Sequence, residues 1–216
     1  MDTSKFELPA IYNFPPFFTR QPNLQTYETQ LDHWRKLILD YCKFYKIWAL
    51  SLNGLPLATG DSITNGDGDG DEGDADDDDA DDDDEDFEIS KNSLFQNNKI
   101  NRSLKNDFVL EIYKKMIDNG ESGWINDKNH KLGVLIYWHS LEEWANIIMD
   151  WIVNTGQEGA VLTLYELRKG ELSESQEFSG MNLQLLLNVM DVLSKEGRVR
   201  ILKDEDGSVA GVKFGG

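Results

Sequence analysis

An α+β chain of two tandem winged-helix domains, the first carrying a disordered acidic insertion, is the fold class this sequence predicts. Three observations point to it. One order of elements occurs twice: a long amphipathic helix, a short strand, helical segments, a glycine and a two-stranded hairpin. Without the insertion and the N-terminal segment each half is about 80 residues, enough to pack a helix-turn-helix and its β-wing. A tract of Gly, Asp and Glu from about Pro56 to Asp86 breaks the periodicity in the first half alone.

Residues 1–22 are predicted as a docking ribbon ahead of the first domain. It contains two proline-aromatic boxes, Leu8-Pro9-Ala10-Ile11-Tyr12 and Phe14-Pro15-Pro16-Phe17-Phe18. Proline fixes φ and removes a backbone donor, so Pro9, Pro15, Pro16 and Pro22 favour a polyproline-like segment without internal hydrogen bonds. Tyr12, Phe14, Phe17 and Phe18 would then project as an exposed apolar cluster, the mark of a partner surface. The competing reading packs these rings on the domain behind them. Burying four of them is worth roughly 6–12 kcal/mol against about 4–15 kcal/mol for association, so the boxes need help from the folded domain.

The first domain is expected over 23–137. Tyr27, Leu31, Trp34, Leu37, Ile38, Tyr41, Cys42 and Tyr45 recur at helical spacing, and Ile47 to Leu52 form a short strand ending at Asn53-Gly54. The insertion, about 56–88, cannot bury enough surface to offset ordering. Residues 61–86 hold 16 acids and no base. Closing so long a loop costs only roughly 2 kcal/mol more than closing a short one. Leu94-Phe95-Gln96-Asn97 resumes structure, a helix from about Ser103 to Asn119 turns Leu104, Phe108, Ile112, Met116 and Ile117 inward, and Trp124 to Trp138 form a hairpin.

The second domain is expected over 138–216. Ser140 with Glu143 and Thr163 with Glu166 are capping boxes that open two helices. Leu141, Trp144, Ala145, Ile148, Trp151 and Ile152 form the inner face of the first, and a short strand at Val161-Leu162 precedes the second. A third helix from about Asn182 to Lys195 buries Leu186, Val189, Met190 and Leu193, and Val199 to Leu202 pair with Val209 to Phe214.

Little catalytic chemistry is visible, and no catalytic, cofactor-binding or metal site is predicted. A single cysteine, Cys42, excludes an internal disulfide and suits a reducing compartment. His33, His130 and His139 lack ligand spacing, and Asp67 to Asp71 resembles a calcium loop without its turn glycine or flanking helices. Phosphate-binding and nucleophile-elbow motifs are missing. Neither a signal peptide nor a membrane-length apolar run is present, so a soluble cytosolic protein is expected. Nucleic-acid binding is the alternative function, since winged helices often read the major groove. Charge opposes it. The second domain is net −6 and its third helix carries Asp191 with one terminal base; only Arg102, Lys105, Lys114 and Lys115 of the first domain make a basic group.

The ribbon LPAIYNFPPFFTRQPN, the helix DYCKFYKIW, the segment LFQNNKINRSL and the run LEEWANIIMDWI together resemble the small-subunit family of the ESCRT-II endosomal sorting complex. The resemblance implies tandem winged helices and a non-enzymatic adaptor, present twice beside one copy of each of two larger winged-helix subunits. It implies that Pro-Pro-x-Tyr boxes dock on those subunits, which here assigns partner binding to Pro9, Tyr12, Phe14, Pro15, Pro16, Phe17 and Phe18. It further implies that the second domain recruits an ESCRT-III subunit for multivesicular-body sorting of ubiquitinated cargo, with the endosomal membrane reached only indirectly. Ala10 replaces the second proline of the first box and Phe18 replaces the tyrosine of the second. The insertion lies outside the resemblance; a solvated tether, or a screen between the first domain and acidic lipids, is the expectation for it.

Overall fold

The computed structural model describes residues 5–57 and 93–215. Most of the expected acidic insertion, and the calcium-like loop in it, lies outside the described residues. Two three-stranded antiparallel sheets and the helices around them define two winged helices.

In the first, α1 (Leu24–Phe44) buries Leu31, Trp34, Leu37, Ile38 and Cys42 along one stripe, and Asn23 caps it by accepting from Thr26 N. The strand β1 is only Ala49–Leu50. Beyond it Leu57 N donates to Ala49 O at 3.0 Å, so ordered backbone reaches slightly past the expected start of the insertion. The chain re-enters through a ribbon of β2 (Gln96–Asn97) and β3 (Arg102–Ser103). This pairing moves the start of the next helix: α2 runs Asn106–Asp118 rather than from Ser103, and Leu104 is buried just ahead of it. Gly120, at φ 74°, ends it. The wing is β4 (Ser122–Trp124) and β5 (Val134–Ile136), joined through a short 3₁₀ turn at His130–Leu132.

The second domain follows its sequence pattern closely. Helix α3 (Leu141–Asn154) and the short α4 (Leu164–Lys169) both open on complete capping boxes, at Ser140/Glu143 and Thr163/Glu166. The hydrogen bonds that Ser140 and Thr163 donate to them hold both carboxyls below the usual carboxylate range. Strand β6 (Val161–Leu162), helix α5 (Leu183–Lys195) and the hairpin β7 (Val199–Lys203) with β8 (Val209–Phe214) complete it. Its sheet order is β6-β8-β7, matching β1-β5-β4 in the first. In both, the strand after the first helix pairs with the last strand, which closes the wing.

The two domains share a sheet. Successive residues of a strand face opposite sides, and along β5 Val134 and Ile136 enter the first core while Leu135 enters the second. Trp48, Ala49 and Tyr137 join Leu135 against Trp144, Phe178 and the helices of the second domain. All three residues of β5 are buried, as in a strand covered on both faces. At the start of this strand Gly133 adopts φ 100°, and a Cβ there would collide with the carbonyl of Leu50, so only glycine fits. Glu177 ties the junction from outside: Lys43 of α1 lies 3.1 Å away, and Trp138 and His139 bond to it at 3.2 and 3.1 Å. Burial alone would raise its pKa, but the bonds from Lys43 and His139 win and lower it. Cys42 is fully buried, and desolvation pushes its thiol far above the ordinary range.

A shared sheet predicts coupled unfolding. Leu135→Ala should cost about 2–5 kcal/mol and lower the melting of both domains together. Calorimetry should show one transition for the parent chain; two separate transitions, with only one moved by the substitution, would contradict the coupling.

Candidate docking surface

The proline-aromatic segment is folded, which corrects the extended ribbon expected from its prolines. Ala10–Asn13 and Pro15–Phe18 are two consecutive 3₁₀ turns, closed by Tyr12 N to Pro9 O at 2.9 Å and by Phe17 N to Phe14 O at 2.9 Å. Proline suits these positions for the reason it suits a helix start. Pro9 is the extended N-cap of the first turn, and Pro15 and Pro16 open the second, where their missing N–H groups would have no partner in the turn.

The folding of this segment sorts its rings. Tyr12, Phe17 and Phe18 are 6%, 3% and 4% exposed and belong to the first core, whereas Phe14 is 56% exposed. The expectation that all four face outward therefore fails for three of them, and the reading that packed them on their own domain describes those three. The cause is Trp34. Its fully buried indole stacks on Phe17 at 4.3 Å and 2°, meets Phe18 edge-on at 5.3 Å, and reaches Tyr12 at 6.2 Å. Its Nε1 donates to Phe17 O at 3.0 Å.

Polar contacts complete the attachment. The Tyr12 hydroxyl lies 2.9 Å from Leu94 O and 3.0 Å from Gln96 O, and Asn97 Nδ2 donates to Tyr12 O at 2.7 Å. Burial raises the Tyr12 pKa to about 12, so it stays a protonated donor at neutral pH. The hydroxyl that distinguishes Tyr12 from Phe18 is thus used inside the chain. Gln30, which the hydrophobic spacing of α1 passes over, is 5% exposed. It sits between Tyr27 and Trp34 on the apolar stripe, and a polar residue at that spacing is the signal that could have marked it. Its Nε2 reaches Phe17 O and Thr19 O at 2.8 and 2.9 Å.

What remains outside is a rim of Leu8, Pro9, Ala10, Phe14, Pro15 and Pro16, all exposed. Its shape is set by the three rings beneath it. Much of the nearby basic charge is engaged: Arg20 pairs with Glu111 at 3.2 Å, Lys115 with Glu28 at 3.0 Å, and Arg35 with Glu121. In the second domain the lone base of α5, Lys195, is paired with Asp191 at 2.6 Å. Of the histidines, His130 stacks on Trp124 at 4.0 Å and His139 bonds Glu177. Among the described residues no group of His, Cys, Asp and Glu is placed to hold a metal ion, and no helix is long and apolar enough to cross a membrane.

A family model of ESCRT-II complex subunits matches residues 11–182, which places these paired winged helices in a defined class of assembly protein. Vacuolar protein-sorting-associated protein 25 of Saccharomyces cerevisiae is 35% identical over 212 residues, covering 95% of this chain and 98% of the relative. A crystal structure of subunit VPS25 of the endosomal trafficking complex ESCRT-II superposes with a TM-score of 0.76 at 30% identity, over 96% of this chain and 99% of that one. A chain of the crystallised ESCRT-II complex of VPS22, VPS25 and VPS36 gives 0.73 at 30% identity, over 99% and 100%. The chain belongs to the vacuolar protein-sorting-associated protein 25 family of ESCRT-II subunits, which are non-enzymatic.

The sorting of rings predicts a division of effects. Tyr12→Ala and Phe18→Ala should each destabilise the first domain by roughly 3–5 kcal/mol, while Phe14→Ala should change stability by less than about 0.5 kcal/mol. Urea unfolding measures both; equal effects at Phe14 and Phe18 would contradict the assignment.

Proposed function

We propose that this chain is the small adaptor subunit of ESCRT-II, docking on two larger winged-helix subunits through the exposed rim of its proline-aromatic segment. The observation that carries this is the rim itself: Phe14, Pro15 and Pro16 stand exposed on a backbone already fixed by a buried layer of aromatic rings. A preformed apolar edge binds without first being ordered, which removes part of the cost that makes short peptide motifs weak. In the solved relative the partners are VPS22 and VPS36. Two copies of this chain per complex is the stoichiometry we adopt, with Tyr12, Phe17 and Phe18 serving as the scaffold of the interface and Pro9, Phe14, Pro15 and Pro16 as its contact surface. The chain reaches the endosomal membrane through those partners.

The second domain would recruit an ESCRT-III subunit for multivesicular-body sorting of ubiquitinated cargo. Support comes from an apolar cleft of about 280 Å³ whose lining includes Trp151, Leu162, Glu166, Gly170, Glu171 and Leu172. Val153, Val161, Tyr165 and Leu172, on the elements that frame it, are all exposed large hydrophobics. Acids around an apolar cleft suit a basic amphipathic segment.

Purification of tagged chain under mild salt, with native mass measurement, tests both parts. Phe14→Ala with Pro16→Ala should weaken recovery of the larger subunits by about tenfold or more, as for a small hot spot, while Leu172→Asp should leave that complex intact and lose capture of the ESCRT-III N-terminal segment. Full recovery of the larger subunits by the first variant would refute the docking assignment.

A further inference from the structure

We infer that Gln30 is a positioning residue for partner docking: from inside the first core its side-chain amide shapes the second proline-aromatic box into the form that its exposed edge presents. This rests on the reading that Phe14, Pro15 and Pro16 dock on the larger subunits.

The problem Gln30 solves follows from the prolines. The box ends as Thr19 turns extended, and Pro22 has no N–H to offer the Thr19 carbonyl three residues before it, so carbonyls at the end of the box need donors from elsewhere. The segment therefore turns three carbonyls toward one point on α1. The Gln30 Nε2 lies 3.2 Å from Pro16 O, 2.8 Å from Phe17 O and 2.9 Å from Thr19 O, and its Oε1 accepts from Gln21 N at 3.3 Å. One amide thus spans residues 16–21. Its anchoring includes the carbonyl of Pro16, whose ring is part of the exposed edge, and that carbonyl also accepts from Thr19 N at 3.1 Å and from Gln21 Nε2 at 2.9 Å. Trp34 Nε1 adds a second donor to Phe17 O at 3.0 Å, so the indole fixes the ring side of the box and the amide fixes its backbone side. Only glutamine combines a two-hydrogen donor, an acceptor and the reach to span these groups from α1.

Loss of the amide should leave the rings packed but let the Pro15-Pro16 edge wander. Docking would then carry an ordering cost that the parent chain does not. That separates positioning from packing: affinity should fall further than stability.

The test measures binding of the full chain to the co-purified pair of larger subunits, with Cys42 thiol protection confirming an intact first core. Gln30→Met keeps length and apolar packing and removes every hydrogen bond; we expect docking to weaken about tenfold while Cys42 stays protected. Gln30→Glu places a carboxylate among three carbonyl oxygens, which raises its pKa, and in the protonated form it regains one donor. Docking by this variant should therefore be weak near pH 8 and recover as pH falls toward roughly 5.5, below the raised pKa. The charged and titratable groups nearest along the chain are Arg20, Glu28, Asp32 and His33, of which the first three face Glu111, Lys115 and Arg35 at 3.2, 3.0 and 3.5 Å. The parent chain and Phe14→Ala, carried over the same range, report any titration of the partner. The Gln30→Glu arm decides the matter even if Gln30→Met fails to fold. Unchanged docking by Gln30→Met, or no pH-dependent recovery by Gln30→Glu, while Phe14→Ala weakens binding, would overturn the role of Gln30. Unchanged docking by Phe14→Ala would instead remove the docking surface.

Discussion

The first domain depends on the buried indole of Trp34. It touches all three inward rings of the N-terminal segment, and a fourth, Phe95, which follows the insertion in sequence, at 5.9 Å. Stacking and edge contacts of this kind add about 0.5–1.5 kcal/mol each to the burial of the rings. They convert what would be a tail into part of the core. Without that layer, the exposed prolines would hang on a flexible arm and the two short strands β2 and β3 would lose the Tyr12 hydroxyl that sits over Leu94 and Gln96.

One segment therefore contributes both to the core of the first domain and to its exposed apolar rim. Inward residues, Tyr12, Phe17 and Phe18, contribute stability; outward ones, Phe14, Pro15 and Pro16, stay exposed. The same economy appears at the domain junction, where β5 serves both cores at once and Glu177 closes the seam. A strand covered on both faces joins the two winged helices through shared core rather than through a linker alone.

Much of this was legible from local pattern. Both capping boxes, the apolar stripe of α1, the glycine stop of α2 and the hairpin of β7 and β8 depend on residues a few positions apart, and each lies within a residue or two of its expected place. The misses share a different character. The burial of Phe17 and Phe18 depends on Trp34 at a distance of 16 or more residues, and the start of α2 depends on pairing between β2 and β3; neither leaves a local signature. The hairpin of β4 and β5 is legible, but nothing in a three-residue strand tells that both faces of β5 are covered. Within the candidate docking surface, the proline-aromatic boxes mark Phe14, Pro15 and Pro16, which are exposed, whereas the position of Gln30 on an apolar stripe hides it.

Hydrogen exchange of the free chain at residues 10–19, followed by mass spectrometry, tests the central claim most directly. If Tyr12, Phe17 and Phe18 are core residues, the amides of Tyr12, Phe17 and Thr19, bonded within the two turns, will exchange far more slowly than in an unfolded peptide, and in step with the opening of α1. Exchange at the rate of an unstructured segment while α1 remains protected would show that the rings do not hold the segment in the core, and that the docking rim forms only on its partner.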